Sequence, residues 1–394
     1  MAHTILTAQE IAREALAVLK NMLIFGATFH RDKEKNFAKV PKNGGVLDIR
    51  LPNRFVVTDG SAVSKQDIAE EKVTITIDKR KHVAWEFSMQ DLTLSIEEYS
   101  ERYIQPAMAA IVNQIESDCA SEAINLFAHV GTAGTAPSSF RDIADIAEML
   151  DNMSVPKEGR ICVMNPKGHY SVADGLKGVF QPTMVNSIIK ESTIGRIAGI
   201  DMFSTQNIKT HIKGVQSGAP VVNGAAQTGL SLVTDGWTAA QNPIIKKGDL
   251  FTIAGVYAVN PVSRETLDFL QQFVCTADAN SDGAGNAAIG IYPSIITSGA
   301  KQTVSASPAD NAAINVLAAN HVMNMAYTKD TFALCMVALE LPDSAKWGHR
   351  ETHDGYSVRL YKYLDGDNDT ETIRLDVLYG IKTVRPETGV RLLG

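Results

Sequence analysis

The sequence lacks the marks of the common catalytic classes. It has no GxxxxGK[ST] phosphate loop, no GxGxxG opening a helix after a strand, and no GxSxG nucleophile elbow. Each absence removes the backbone cradle or strained turn that nucleotide binding or serine hydrolysis uses. Cysteine is scarce: Cys119, Cys162, Cys275 and Cys335 stand far apart, each in an apolar context, with no CxxC pair. They read as buried free thiols in a reducing compartment, because free cysteine packs as a small hydrophobe. No run of eighteen apolar residues occurs, so no membrane-spanning helix is expected. The first residues show no basic stretch followed by an apolar one, so no secretion signal is expected either. Positive charge is also short, with 37 Lys and Arg against 44 Asp and Glu and a net charge of −7. Surface binding of phosphates needs a basic stripe, so this balance argues against nucleic acid as a simple ligand. It does not exclude a protein that encloses DNA without gripping it.

What is present fits an ordinary folded protein of two or three domains: 394 residues, 45% apolar and 21% charged. Thr7 to about Phe25 predicts a helix, with Thr7 as cap, Glu10 three residues on, and Ile11, Ala15, Val18, Leu19 and Met22 on one face. A polar, charge-mixed stretch, Arg31 to Asn43, follows and completes an N-terminal arm. Val46–Leu51, Val73–Ile77 and Val83–Phe87 alternate and predict strands, with Asp78–His82 as a polar turn between the last two. These strands make a long hairpin arm, Gly44 to Ser88, whose exposed tip is Ser64–Glu71. Paired strands expose edges that need a partner. About Ser95 to His129 then predicts one amphipathic helix, with Ser95 as cap and Pro106 kinking or loosening it. At 1.5 Å per residue it would be roughly 50 Å long. Its apolar stripe, including Tyr103, Ile111 and Ile115, reads as core packing.

Ile143–Leu150 predicts a helix and Ile161–Met164 a short buried strand closed by Asn165-Pro166, within an α+β domain. From about Ile212 to Pro308 the chain turns rich in Gly, Ala, Ser, Thr and Asn. Leu230–Val233, Leu250–Ile253, Phe269–Cys275 and Ile289–Ile296 read there as strands of a small inserted barrel or sandwich. Asn311–Ala326 reads as helix, and Cys335–Leu341, Tyr356–Tyr361 and Ile373–Leu378 as returning strands.

Few motifs carry chemistry. Asp278–Gly283 resembles the start of a calcium loop, but Ile289 stands where the bidentate Glu belongs, so a hairpin tip competes with a cation site. A calcium-stabilised β-rich binding protein is therefore an alternative. His349 and His353 are spaced as zinc ligands would be on a helix, but Glu351 falls one position late for HExxH and the surroundings read as strand, which makes a zinc hydrolase the weaker alternative. Asp365–Glu371 reads as a solvated turn. The run Lys79, Arg80, Lys81 and His82 reads either as a solvated turn or as an electrostatic contact with an acidic patch on an adjoining subunit. No catalytic, cofactor or metal residue is assigned.

The order of parts (helical arm, protruding hairpin, long helix, α+β domain, inserted β domain, returning strands) resembles the major capsid proteins of tailed bacteriophages, the Hong Kong ninety-seven fold. The nearer resemblance is to the coat-protein family of phage P22, which carries an extra β-barrel insertion. Asn165-Pro166 with Lys167–Tyr170, Ile197–Asp201, the Lys-Gly-Asp of Lys246–Val256, Ser307-Pro308 before a closing helix, Tyr379-Gly380 and Arg385–Glu387 carry it. The resemblance implies an α+β fold with an N-arm (1–43), an extended loop (44–90), a peripheral domain with a spine helix (91–135), an axial domain (136–211), an inserted barrel (212–327) and return strands (328–394). It implies a non-enzymatic shell protein that assembles with itself into pentamers and hexamers. A scaffolding protein and a portal are implied partners, double-stranded DNA is enclosed, no membrane is bound, and the location is the virion after assembly in the host cytoplasm. Lys65 is the candidate tip lysine. Arg31, Lys33, Lys35, Lys39 and Lys42 are candidate scaffold contacts. Asp235 is a candidate contact in Val233–Pro243, which is shorter than the family's two-fold loop.

Overall fold

The computed structural model describes residues 8–31, 45–57, 60–61, 65–66, 70–88, 103–176, 194–342, 347–353, 355–365 and 370–394. The strands are β1 (Val46–Arg50), β2 (Lys72–Thr76), β3 (Lys79–Ser88), β4 (His129–Val130), β5 (Arg160–Met164), β6 (Arg196–Ile197), β7 (Ile200–Ser204), β8 (Thr210–His211), β9 (Gly218–Val222) and β10 (Gly229–Trp237). They continue with β11 (Leu250–Val259), β12 (Thr266–Cys275), β13 (Ala287–Ile295), β14 (Ile314–Val316), β15 (His321–Thr328), β16 (Phe332–Val337), β17 (Trp347–His353), β18 (Tyr356–Asp365), β19 (Thr370–Thr383) and β20 (Gly389–Leu393). Contacts divide the chain into two units.

The first unit comprises Met1–Arg50, Lys72–Ala120 and Phe332–Val384. Its helix Ala8–Met22 packs on β17 and β18 and buries Ile11, Ala12, Ala15, Leu16 and Leu19; Met22, expected on that face, is exposed. A short turn of helix, Phe25–Thr28, leads to Phe29, stacked on Phe332 at 4.8 Å, and His30 bridges Ala333 beside β16. The sheet runs β16-β19-β18-β17, with β3 also against β19. β19 is long enough to pair with β3 and β18 over its first part and with β16 over its last.

Two expectations change here. β2 does not pair with β3: it pairs with β1, from Val46↔Thr76 to Arg50↔Lys72, while β3 joins β19. Lys79–His82 therefore lies in a strand rather than a turn, because a ladder partner outside the hairpin claims its backbone groups. Gly380 permits the close pass of β2, since a Cβ there would meet the Thr76 carbonyl oxygen at 2.4 Å. The spine helix also ends sooner than expected. Its α-helical part is Gln105–Ser121, about 25 Å at 1.5 Å per residue. Pro106 follows closely on a π-type turn at Tyr103 and Ile104, so the hydrogen-bond ladder changes period just ahead of the residue that lacks an N–H. The expected start at Ser95 lies outside the described residues.

The second unit comprises Leu51–Glu71, Ser121–Thr331 and Arg385–Gly394. Here the helical run tightens to a 3-10 turn, Glu122–Asn125, and Leu126 is extended. His129 and Val130 are then drawn into a sheet as β4, parallel to β20, which is why the helix does not reach His129. That sheet runs β4-β20-β15-β5-β7-β6, with β8 beside β15. The helices Phe140–Asn152, capped by a Ser139–Asp142 capping box, and Pro166–Gly175, capped by Asn165, share its core with Ile143, Ile146, Leu150, Cys162 and Val172. A second sheet runs β14-β11-β12-β13-β10-β9. Its two end strands meet through the bridge Val221↔Ala313, so the sheet closes around Phe251, Phe273, Trp237, Ile253 and Ile289. The helix expected over Asn311–Ala326 is instead β14 and β15. β15 lies between β20 and β5, and its residues are buried on both faces, so it loses the alternation that marks a strand in sequence.

Candidate subunit-contact surfaces

In β3 the basic run alternates between faces. Lys79 and Lys81 reach Asp118 of the spine helix at 3.7 and 3.4 Å, and the Tyr379 hydroxyl donates to the same carboxylate at 2.9 Å. Arg80 points the other way and meets Asp376 at 3.4 Å, where Arg359 and Arg374 also bind. Burial alone would raise both carboxyls. The Tyr379 hydroxyl and the lysines at Asp118, and the arginines at Asp376, outweigh it and hold each below the usual range. These cations thus knit the first unit together while Arg80 keeps a partly exposed side chain. On the spine helix Ile111 and Ile115 are buried and Tyr103 is half-buried. Among them sits a group the sequence reading missed: Glu116, 3% exposed, accepts the Phe25 N–H at 2.9 Å. Burial pushes its carboxyl up to about 7.

The connection between β1 and β2 belongs to the second unit. Leu51 N–H to Glu71 O, 2.8 Å, closes its base. Arg54 then meets Glu387 at 3.5 Å, Arg264 donates to the Phe55 carbonyl at 3.2 Å, and Lys301 pairs with Glu71. Lys65 is exposed. The side chains of Phe55 and Val57 stand 60% and 92% exposed. A cleft of about 90 Å³ beside the Arg54–Glu387 pair, lined by Phe127, Phe269 and Tyr292, is well below the roughly 300 Å³ of ordinary ligand pockets. Asp235 lies on β10 opposite Val221, and its Oδ1 is buried without a hydrogen-bond partner among the described residues.

A buried charge cluster joins the two sheets of the second unit. Asp249 Oδ1 lies 2.7 Å from His211 Nε2, and Oδ2 accepts the N–H groups of Lys246 and Gly214. The His321 ring is 5.3 Å from that of His211. Arg391 is fully buried and donates to the carbonyls of Gly248 at 2.9 Å and Ile124 at 2.6 Å. Gly248, at φ +92°, leaves no room for a Cβ against Ile124. Burial, and then Arg391, drive His321 down to about 4, and burial lowers Arg391 itself to about 9.

The family model described as P22 coat protein - gene protein 5 matches residues 53–394. The chain belongs to the P22 coat-protein family. It is a phage coat protein, a structural subunit of a capsid. A relative named major capsid protein, from Acyrthosiphon pisum secondary endosymbiont phage 1, is 22% identical over 384 residues and covers 89% of each chain. A solved structure from Mycobacterium phage Che8 is 14% identical, covers 94% of this chain and 90% of its own, and superposes with a TM-score of 0.50. The asymmetric unit of the bacteriophage PhiM1 mature capsid is 12% identical, with 89% and 82% coverage and a TM-score of 0.43.

The structure also places the residues behind the two metal readings of this coat protein. His349 and His353 lie on strand β17, not on a helix, so the helical zinc spacing does not arise. Asp282 accepts the N–H groups of Ala284 and Asn286, and Asp278 that of Lys247, as turn-forming carboxylates do. Among the described residues no group of three or more His, Cys, Asp or Glu could hold a metal ion. The Lys-Gly-Asp tripeptide proves to be more than a turn. Its Asp249 holds the buried cluster, and the only signal in sequence was an acid next to the glycine of a strand opening. Lys33, Lys35, Lys39 and Lys42 lie outside the described residues, while Arg31 stacks over the Tyr356 ring at 4.0 Å.

Proposed function

We propose that many copies of this coat protein form pentamers and hexamers that close into an icosahedral shell around double-stranded DNA. Assembly takes place in the host cytoplasm, guided by a scaffolding protein, with a portal at one vertex. Phe55 and Val57, on the connection between β1 and β2, carry the reading: two large apolar side chains, two positions apart, are left in water by the single subunit. Apolar surface of that kind marks a place where another chain sits. Repeated, directional contacts of one chain with its copies close into rings when their rotation allows. Lys65, Asp235 and the outward parts of Lys79, Arg80 and Lys81 are the proposed rim contacts. The closed six-stranded sheet is proposed to stabilise the subunit while it folds, and the basic segment from Arg31 to Lys42 to meet scaffold or neighbour.

The test is co-expression with a candidate scaffolding protein, read by sedimentation and negative-stain microscopy. Closed, uniform shells are expected. A stable, soluble monomer that forms no shell under any scaffold, salt or crowding condition rejects the proposal.

A further inference from the structure

The N-terminal arm is tied to the spine helix through a carboxyl with no cation beside it. Glu116 is 3% exposed. Its Oε1 accepts the Phe25 N–H at 2.9 Å, and its Oε2 is buried with no hydrogen-bond partner among the described residues. Leu23, Phe25 and Phe29 of the arm are buried, as are Val112 and Ile115 of the helix. A neutral carboxyl suits that place: it accepts the N–H through its carbonyl oxygen and leaves the other oxygen uncharged. An ionised carboxylate there is costly, because a buried charge needs partners that this one lacks. The N–H groups of Phe25, Ile24 and Gly26 offset only part of the burial cost, and the carboxyl is held up to about 7 from an ordinary 4.5. The neighbouring elements supply no compensating charge. Residues 23–26 carry no ionisable side chain. From β18 comes the Tyr356 hydroxyl, which a Cβ at Gly26 would meet at 2.9 Å, and Arg31 stacks over that ring. β16 brings Phe332 against Phe29, with His30 bridging Ala333. Asp118, two positions on in the spine helix, turns to Lys79, Lys81 and Tyr379.

We infer that Glu116 is a proton-operated pin for the arm: protonated, it holds residues 23–29 down on the spine helix, and ionised, it loosens them. Loosening brings water to the carboxyl, which then ionises as an ordinary glutamate does. The docked form thus keeps a proton that the loosened form gives up. Docking has its full support from this group below pH 4.5, loses it progressively as pH rises, and has none left above about 7. From pH 6 to pH 8 the docking equilibrium falls about tenfold on these values. The opening is local, because helix Ala8–Met22 has its own seat on β17 and β18. Solution pH would set how firmly the arm is held while the sheet beneath it stays as it is.

The experiment compares the full chain with Glu116→Gln, whose amide accepts the same N–H and cannot ionise. Hydrogen exchange of residues 23–29 is measured at pH 6, 7 and 8 in the soluble subunit. Each rate is divided by that of the unstructured peptide at the same pH, which removes the intrinsic pH dependence, and β5 in the second unit serves as the reference. In the parent, protection of 23–29 is expected to fall about tenfold from pH 6 to pH 8 while β5 holds steady. In the variant it is expected to change by less than about twofold. His30 remains in both chains, so its own titration cancels in the comparison. Should Glu116→Gln not fold, Glu116→Leu, equally unable to ionise, takes its place with the same expected flatness. Protection of 23–29 in the parent that is equal at pH 6 and pH 8, or that rises, overturns the pin. A fall of the same size in parent and variant overturns it as well, because the titrating group then lies elsewhere.

Discussion

Acidification should weaken the soluble subunit through one buried ring, His321. Its side chain is 2% exposed, and burial together with the nearby Arg391 charge moves it from the ordinary 6.5 down to about 4. The folded state thus refuses a proton that the unfolded chain accepts. Stability from this group is fully present above pH 6.5 and is lost as pH falls toward 4. At pH 5.0 the unfolded chain takes up the proton about 30-fold more favourably, which is about 2 kcal/mol; at pH 7.5 the difference is near zero. The assay is urea unfolding followed by tryptophan fluorescence at pH 7.5 and 5.0, with Trp237, buried in the closed sheet, as the reporter of the second unit. The comparison protein is His321→Gln, which cannot titrate. His129, also driven down to about 4, stays in both proteins as a common background. The parent should lose about 2 kcal/mol more than the variant between the two pH values. Equal losses in both, within the ~0.5 kcal/mol precision of such a comparison, mean that His321 is solvated or charged in the native state and the cluster is not the dry joint described here.

Phe251→Ala, which removes a ring stacked on Phe273 at 5.6 Å, should cost about 3–5 kcal/mol and leave subunits insoluble or unassembled, read by soluble yield and shell yield. Asp376→Asn, at a side chain with no exposed surface, strips the counter-charge from Arg80, Arg359 and Arg374 and should cost about 3–5 kcal/mol in thermal or urea unfolding; a loss below 1 kcal/mol rejects its role as hub. Gly380→Ala forces a Cβ to within 2.4 Å of the Thr76 carbonyl oxygen and should cost about 1–3 kcal/mol, with faster hydrogen exchange in β2; unchanged exchange there refutes the close pass.

Four of the six strands of the closed sheet were legible in part, because β10, β11, β12 and β13 alternate or run apolar between turn residues; β9 was not read and β14 was read as helix. Three things were not legible, for one shared reason. The helix ends before His129 because β20 pairs with residues 129 and 130, more than 250 positions away in sequence. Val73–Ile77 and Val83–Phe87 were read as strands joined by the turn Asp78–His82, yet β3 answers to β19, near the other end of the chain. β15 looked helical because distant segments bury both its faces, which removes the alternation by which a strand announces itself.

The same non-locality governs the charges. Asp118, Asp249 and Asp376 each gather partners from distant segments, and none sits in a motif that advertises it: Asp118 looks like the polar face of a helix, Asp249 like a turn residue, Asp376 like the outward position of an alternating strand. Periodicity treats a charged residue as a vote for solvent, and at all three positions that vote is wrong. A buried carboxylate ringed by cations adds little net stability over a well-packed apolar core, but it tolerates far fewer arrangements, because removing any partner strands a charge. Each of these hubs fixes which segments meet within its own unit: Asp118 and Asp376 tie β3 and β19 to their neighbours in the first, and Asp249 ties the closed sheet to β8 in the second. A subunit that must present the same contacts in every copy of a lattice gains from that kind of specificity. Burial screens Asp249 and Asp376 from water, so their partners are fixed most firmly, while Asp118 keeps a partly exposed side chain and holds its lysines less tightly.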